Sequence, residues 1–273
     1  MSERRKDVFD AEWLQLREPA DHRARHEPFA TLLRAEGRAK GWSAVLDLGG
    51  GTGSNLRYLA PRLGWVSSWC VLDHDPELLA RVDTSGRTPV RTLLGDLGRE
   101  GLEAVEDADL VTGSALLDLV SREWIELLAE ECAAHGCAVL FSLTYDGHVA
   151  IHGGEHDPDD DFVVRAVNRH QTREKGLGQA LGPAAHQAAV QAFRAVGFDC
   201  QSAPSPWILS GRGDAELARA LMEGWVEAAE EVHPGEGPRL RAWLKRRVQA
   251  FSRNLEITVG HTDLVALPAS GMS

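Results

Sequence analysis

The residues best suited to chemistry stand in one short segment, 47–55, which reads Asp-Leu-Gly-Gly-Gly-Thr-Gly-Ser-Asn. Glycines permit a tight turn and let a ligand approach the backbone closely, because they carry no Cβ. An acid directly before such a turn attracts a cationic ligand, whereas it would repel a pyrophosphate held at a helix N-terminus. The segment therefore predicts a binding loop for a ligand that carries positive charge.

Spacing separates three kinds of nucleotide-binding loop. A phosphate-binding P-loop is excluded, because no lysine follows the glycines. The dinucleotide pattern G-x-G-x-x-G fits weakly, since Ser54 or Leu56 stands where its last glycine belongs. The third pattern, D-x-G-x-G-x-G, is met in full by Asp47, Gly49, Gly51 and Gly53. Through this motif the chain resembles the class I S-adenosylmethionine-dependent methyltransferases.

The resemblance continues at the ends of the next three predicted strands. Asp73 matches the family's acid that accepts both ribose hydroxyls of the cofactor. Asp96 and Leu97 match the acid near the adenine amino group and the apolar residue against the ring. Ser114 and Ala115 follow the fourth strand, where family members line the methionine half. Over residues 40–145 the resemblance thus implies an S-adenosylmethionine site, formed by Asp47, Gly49, Gly50, Gly51, Gly53, Asn55, Asp73, His74, Asp96, Leu97, Ser114 and Ala115.

Each of these polar residues also has a simpler interpretation. Asp73 would cap a helix that begins near Pro76, Asp96 would be an ordinary turn acid, and Ser114 a turn hydroxyl. One glycine loop and two acids at three successive strand ends favour the binding site over three unrelated turns.

The elements that must position these residues form an alternating series. Short β-rich runs predict strands at 44–48, 69–72, 90–94, 108–112, 138–143, 198–210 and 255–267. Amphipathic segments predict helices at 54–63, 76–81, 121–134 and 184–196. This alternation predicts βαβ units around a parallel sheet. The resemblance implies an α/β, Rossmann-like methyltransferase fold, with a mostly parallel seven-stranded sheet, an antiparallel last strand, a helical N-terminal cap and insertions.

Within that fold we expect a single methyltransferase domain over 1–273. Residues 1–40 are predicted to form the helical cap, and 41–144 the cofactor-binding core. The polar, Gly-rich stretch 145–183 is predicted to be a substrate loop or lid, because it is long for an ordinary connection. Residues 211–253 are predicted to form a helical insertion over the edge or mouth of the sheet.

Composition limits the partners and the location. The formal net charge of −12 opposes binding to a phosphate backbone, so no nucleic-acid partner is expected. No apolar run approaches the roughly 18 to 20 residues that span a bilayer, and the N-terminus is charged, so we expect a cytoplasmic protein without membrane contact. The four cysteines form no C-x-x-C pair, which indicates reduced thiols and neither a disulfide framework nor a zinc site.

Two arginines of the N-terminal cap are candidates for ligand binding. Arg17 or Arg25 would hold a carboxylate of the cofactor or of the substrate through two parallel hydrogen bonds. The alternative is a solvated helix, in which Asp21 and Arg25 form an ion pair one turn apart.

The segment after the fifth strand supplies the other candidates for substrate contact and catalysis. Asn168, His170 and Gln171 are the first candidates for substrate binding, and the alternative is a plain amphipathic helix. A general base, if one is needed, would be His148, His152 or His170, because histidine titrates near neutrality. No feature of the sequence singles out one of the three.

Residues 151–161 collect two histidines and several carboxylates, which raises the question of a metal site. The spacing matches no calcium loop, and Pro158 indicates a turn. We therefore predict a solvated acidic loop and no metal.

These observations predict methyl transfer from S-adenosylmethionine to a small-molecule acceptor, such as a metabolite or a secondary-metabolite intermediate. The N-P-P-Y/F tetrad of amide methylases is absent after the fourth strand, which favours a small molecule over a polymer. Two alternatives stay open, an NAD(P)-dependent oxidoreductase and a non-catalytic S-adenosylmethionine-binding module.

Overall fold

Five parallel strands form the first part of a mixed sheet in the computed structural model, which describes residues 10–174 and 178–269. They are β1 (Ala44–Leu48), β2 (Ser68–Asp73), β3 (Val90–Leu94), β4 (Leu110–Ser114) and β5 (Ala138–His152). Their order across the sheet is β3-β2-β1-β4-β5. The carboxyl ends of β1, β2, β3 and β4 therefore lie along one edge, with β1 and β4 side by side.

Three further strands, β6 (Phe198–Pro204), β7 (Trp207–Ser210) and β8 (Glu256–Pro268), complete the sheet. The last strand β8 runs antiparallel between β5 and β6, and its first half pairs with β7. The antiparallel last strand is thus confirmed.

The described residues form eight strands, so the prediction of seven is wrong by one. The stretch predicted as one strand, 198–210, is interrupted at Ser205 and Pro206. Proline has no N–H for the ladder, and the Ser205 N–H bonds the His261 carbonyl instead (2.8 Å). The chain resumes as β7 beside another part of β8.

The helices connect and cover the strands. They are α1 (Ala11–Ala24), α2 (Glu27–Lys40), α3 (Ser54–Leu63), α4 (Pro76–Leu79), α5 (Glu100–Glu103), α6 (Arg122–His135), α7 (Asp160–Gln171), α8 (Ala185–Ala195), α9 (Ala215–Val232) and α10 (Gly237–Phe251). Local signals explain two of the starts: Ser121 caps α6 by accepting from the Trp124 N–H (3.2 Å), and Pro76 opens α4 after the capping residue Asp75. In the described part of the chain no helix is both long and apolar enough to cross a bilayer.

Apolar side chains pack on both faces of the central strands. One face carries α6 and α8, with Phe141 and Phe193 fully buried, and the other carries α2 and α3, with Leu33 and Trp69 fully buried. Burying such side chains is the main stabilising contribution to the fold. These two layers hold the strand ends in fixed positions.

A further apolar cluster, called here the second core, packs beside the distal half of β5. It joins α7, α9 and α10 to β7 and to the first half of β8, and includes Tyr145, Val163, Trp207, Trp225, Trp243, Ile257 and Val259. Within the stretch 145–183, which was predicted to be a substrate loop or lid, residues 145–152 continue β5 and residues 160–171 form α7. Residues 175–177 of that stretch, and residues 1–9 of the expected cap, lie outside the described residues.

Candidate functional site

The glycine loop 49–53 turns sharply between β1 and α3. Gly49, Gly51 and Gly53 have φ angles of 62°, 53° and 82°, in the left-handed region that residues with a Cβ rarely adopt. The turn is closed by the Gly53 N–H, which donates to the Gly50 carbonyl (2.8 Å). A Cβ at Gly50 would overlap the Val71 side chain, so the loop can approach β2 only because Gly50 has none.

Asp73, the last residue of β2, is tied directly to this loop. Its Oδ2 accepts from the Gly51 N–H (2.8 Å), and its Oδ1 accepts from the Asp75 N–H (3.0 Å). The exposed His74 ring lies 3.3 Å from Oδ1. A carboxylate has about four lone-pair positions, so Asp73 can hold the loop and still accept from a ligand.

Asp47 lies beneath the loop and has no exposed surface. Its Oδ1 accepts from Asn55 Nδ2 (2.6 Å), and its Oδ2 accepts no hydrogen bond from any described residue. Burial raises the pKa of Asp47 to about 7, while the hydrogen bond from Asn55 acts in the opposite direction. The sequence suggested an acid that meets the ligand, whereas this carboxylate is fully buried and is covered by its hydrogen-bond partner Asn55.

Arg25 joins three elements at the centre of the site. It follows α1, donates to Ser114 Oγ at the end of β4 (2.8 Å) and to Asn55 Oδ1 at the start of α3. Its guanidinium carbon stacks 4.7 Å from the centre of the Tyr58 ring. Burial lowers the pKa of Arg25, and nearby carboxylates, first Asp263, oppose that change.

Thr112 extends this polar cluster into the sheet. Its hydroxyl accepts from Asn55 Nδ2 (3.1 Å) and donates to the Leu140 carbonyl (2.7 Å). The sequence analysis missed Thr112, although a hydroxyl within the apolar run of β4 was a visible signal. The Asn55 amide thus donates to Asp47 and Thr112 and accepts from Arg25, and these three bonds fix its orientation.

The chain after β4 makes a second tight turn. Ala115 has a φ of 52° although it is not glycine, and its N–H donates to the Ser142 carbonyl on β5 (2.9 Å). Leu116 then folds back toward the loop, where its Cδ1 would lie 3.1 Å from a Cβ at Gly49. Strained residues of this kind cluster at binding sites.

The end of β3 presents an exposed carboxylate beside apolar groups. Asp96 accepts from the Arg99 N–H (2.8 Å), and this hydrogen bond holds the pKa of Asp96 below its usual range. Leu97 is half-buried, and its carbonyl accepts from Trp124 Nε1 (2.8 Å). Leu94, the last residue of β3, is 58% exposed. The sequence analysis did not single out Leu94.

Helix α1 lies across the glycine loop. The Leu14 side chain would be 3.2 Å from a Cβ at Gly51. His22 Nε2 lies 3.2 Å from Ser54 Oγ, and Arg57 of α3 pairs with Glu18. These contacts cover the loop from the side opposite the sheet.

Arg17 is occupied by neighbours within the protein. It bonds both carboxylate oxygens of Asp21 (2.9 and 3.1 Å), and its guanidinium carbon lies 4.9 Å from the centre of the Trp207 ring. Trp207 Nε1 also donates to Asp21 (3.0 Å). Asp21 thus hydrogen-bonds Arg17, while Arg25 turns toward Ser114. Of the two candidate arginines, only Arg25 contacts the residues around the glycine loop.

A cavity of about 690 Å³ lies on the outer side of the loop, between α1 and α3. It is lined by Ala11, Gln15, Glu18, Pro19, His22, Thr52, Arg57 and Arg81. None of the strand-end residues Asp47, Asp73, Asp96 or Ser114 is among them. The cavity therefore adjoins the candidate site and is not its centre.

The structure does not gather the three histidine candidates at the loop. Ser142 of β5 pairs with Ser114 of β4, and His152 stands ten residues further along β5. His152 faces Glu256, eight residues along β8 from the partner of Phe141, so at about 3.3 Å per residue it lies roughly 25 Å beyond the strand ends. His148 stands on the same extension of β5, just before Val149. His170 lies on α7, with Nε2 3.2 Å from Glu231 of α9.

The remaining substrate candidates lie on α7. Asn168 accepts from the Tyr145 hydroxyl (2.7 Å) and donates to the Gly147 carbonyl (3.0 Å), so its amide fastens α7 to β5. Gln171, the last residue of α7, is half-buried. Both residues lie on the amphipathic helix that was the alternative interpretation.

The acidic segment 151–161 pairs with α10. Asp157 bonds Arg246 (2.5 and 2.9 Å), Asp160 bonds Arg247, and Arg246 also reaches Asp159 (2.8 Å). The bond from Arg246 holds the pKa of Asp157 below its usual range. The prediction of a solvated loop is wrong for these carboxylates, because α10 brings arginines to them that lie about 90 residues away in the sequence.

The chain is similar to several solved structures at low sequence identity. A cyclopropane-fatty-acyl-phospholipid synthase-like protein from Lactobacillus casei ATCC 334 is 14% identical, with a TM-score of 0.51 over 92% of each chain. Human N-acetylserotonin methyltransferase in complex with S-adenosylmethionine is 16% identical, with a TM-score of 0.41 over 68% of this chain and 48% of that chain. The N-terminal domain of EvdMO1 with S-adenosylhomocysteine bound is 21% identical, with a TM-score of 0.41 over 63% of this chain and 73% of that chain.

No family model matches the chain, and no curated protein matches its sequence. The fold itself is clear from the strand order β3-β2-β1-β4-β5-β8-β6 with β8 antiparallel. This is the Rossmann-like fold of the class I S-adenosylmethionine-dependent methyltransferases, as the resemblance implied.

Proposed function

We propose that the protein binds S-adenosylmethionine and transfers its methyl group to a small-molecule acceptor. The observation that carries the proposal is the attachment of the glycine loop to Asp73, through the bond from the Gly51 N–H to Oδ2 (2.8 Å). It brings a backbone that a ligand can approach and a carboxylate that can accept hydrogen bonds from hydroxyl groups to the same sheet edge. Both features suit the sugar of the cofactor.

The nucleoside part of the proposed ligand has matching groups at the neighbouring strand end. The Asp96 carboxylate is exposed and accepts hydrogen bonds, which suits an adenine amino group. Leu94 and Leu97 offer apolar surface to the ring. A ring bound there would cover the exposed side chain of Leu94 and remove it from water.

The amino-acid part of the ligand fits the cluster around Arg25. A guanidinium carries five N–H donors, and two of them are used by Ser114 and Asn55. The remaining donors suit a carboxylate, which forms charge-assisted and often paired bonds with arginine. Asp47 lies behind Asn55 and orients its amide by accepting a hydrogen bond from Nδ2 (2.6 Å).

When bound, the cofactor would supply an already activated methyl group for transfer to a nucleophile of the acceptor. The protein's contribution is to hold the two reactants in line and to exclude water under α1. None of the three candidate histidines lies at the loop, so we propose catalysis by positioning and no histidine base. The net charge of −12 supports a small molecule over a nucleic acid as the acceptor.

The first test is calorimetric titration with S-adenosylmethionine, S-adenosylhomocysteine and NADH. We expect the first two ligands to bind, and Asp73→Ala to weaken them at least tenfold, since it removes both the sugar acceptor and the anchor of Gly51. The matched control is Asp75→Ala, which removes the acidic cap of α4 two residues away. Binding of NADH alone would refute the proposal and support an oxidoreductase.

The acceptor class is tested by incubating the protein with methyl-labelled S-adenosylmethionine and cell extract. Label should enter the fraction of small molecules. Label found only in protein or nucleic acid would contradict the small-molecule proposal, and cofactor binding without any transfer would indicate a non-catalytic binding module.

A further inference from the structure

A buried carboxylate on β8 faces an irregular part of β5. Phe141 of β5 pairs with Leu264, and Thr144 pairs with Thr262, so β5 has one residue more than β8 between the two pairs. Such an insertion is a β-bulge, which bends a strand and redirects its side chains. Asp263 is the β8 residue opposite the bulge, and only 1% of it is exposed.

Asp263 links the bulge to the junction between α1 and α2. Its Oδ1 accepts from the N–H of Leu143, a bulge residue with a φ of 57°. Its Oδ2 accepts from the N–H of His26, the residue that joins the two helices (2.9 Å). One side chain thus connects the junction of α1 and α2 to the bulge of β5.

The junction held by Asp263 carries Arg25. Arg25 precedes His26 directly, and from there its guanidinium reaches Ser114 and Asn55. Asp263 is also the nearby carboxylate that most favours the charged guanidinium. A change at Asp263 therefore alters both the backbone from which Arg25 projects and the charge that faces it.

We infer that Asp263 is a positioning residue that holds Arg25 for the amino-acid end of the cofactor. The inference rests on the proposed function. It assigns to β8 a part in ligand discrimination. The protein prefers S-adenosylhomocysteine to 5′-methylthioadenosine, a ligand that has the same nucleoside and lacks the amino-acid group. Asp263 maintains that preference.

Asp109 provides a matched control at the opposite end of the sheet. Its Oδ2 accepts from the backbone N–H groups of Ser43 and Ala44 (2.7 and 2.9 Å), where β1 begins. Asp109→Asn and Asp263→Asn therefore make the same chemical change in two carboxylates that each bridge two backbone donors. Only the second faces the junction that carries Arg25.

The experiment measures the dissociation constants of S-adenosylhomocysteine and 5′-methylthioadenosine by calorimetry. We expect Asp263→Asn to weaken S-adenosylhomocysteine at least tenfold and 5′-methylthioadenosine less than twofold, while Asp109→Asn leaves the ratio unchanged. In an Arg25→Ala background, Asp263→Asn should have no further effect on the ratio, because its action passes through Arg25. Equal weakening of both ligands, or no weakening, would overturn the inference.

A second pair of variants covers the case in which Asp263→Asn does not fold. His26→Pro removes both the ring and the N–H that donates to Asp263, and the φ of −76° at His26 suits proline. His26→Ala removes the ring and keeps the N–H. The first variant should lower the ligand ratio several-fold and the second should not; equal ratios would overturn the inference. Failure of the wild-type protein to bind either ligand would instead refute the proposed function.

Discussion

The glycine-loop region and the second core are built in opposite ways. Around the loop, buried polar side chains such as Asp47 and Arg25 connect short turns by hydrogen bonds. In the second core, large side chains such as Trp225 and Trp243 pack between helices, with ion pairs at the rim. The first region is therefore held by directed hydrogen bonds, and the second by apolar packing against the long strands β5 and β8. Substitutions should affect the two regions differently.

The largest effect is expected in the second core. Trp243→Ala should lower the free energy of unfolding by about 3 to 5 kcal/mol, because it empties the space of a fully buried indole. Denaturant titration checks the stability, and calorimetry below the unfolding transition checks S-adenosylhomocysteine affinity, which should stay unchanged. A large loss of affinity in the folded variant would show that the second core and the glycine-loop region are energetically coupled.

The next effect belongs to Asp47 and depends on pH. Because burial raises the pKa of this carboxyl to about 7, the folded protein keeps its proton from about pH 4 to 7 while the unfolded chain loses it. The retained proton stabilises the folded state, and this contribution is complete below pH 4 and is lost as pH rises through 7. Between pH 5 and pH 8 the free energy of unfolding should fall by about 3 kcal/mol.

Asp47→Asn is the variant that checks this pH dependence, since its amide does not titrate. Unfolding free energies of both proteins should be measured at pH 5, 6, 7 and 8. We expect the wild type to lose stability relative to the variant across that range. Parallel curves would mean that Asp47 is ionised throughout, and that its charge is stabilised within the loop region more strongly than its burial indicates.

The smallest effect is expected at the rim of the second core. Arg241 pairs with Glu230 (2.9 Å), and its side chain is 64% exposed. Arg241→Ala should change the free energy of unfolding by about 0.5 kcal/mol or less, because water screens exposed pairs. A loss above about 2 kcal/mol in denaturant titration would show that these ion pairs, and not the indoles alone, hold the second core.

Much of the glycine-loop region could be predicted from local sequence patterns. The predicted strands at 44–48 and 90–94 and the helix at 54–63 have the bounds that the structure gives to β1, β3 and α3. Their apolar periodicity and the glycines between them are local properties, since glycine adopts a positive φ without strain whatever surrounds it. The placement of Asp73 beside Gly51 follows from the parallel order of β1 and β2.

The rest depends on contacts between distant parts of the chain. Arg17 points away from the glycine loop into a cluster with Asp21 and Trp207, whose Nε1 donates to Asp21 from 186 positions away. Neither arginine has a sequence neighbour that distinguishes it. In the same way, the carboxylates near 157 bind α10 because the second core brings that helix to them.

The sequence by itself determined the glycine loop, the acids at the strand ends and the α/β order, because backbone sterics and strand periodicity act over a few residues. Only the tertiary structure decided that Asp47 lies under the loop, that β8 carries a bulge-facing Asp263, and that 145–171 form strand and helix. These features arise from packing between elements, where burial and hydrogen bonding outweigh local preference. They place Arg25 and Asp263, 238 positions apart in the chain, at one site.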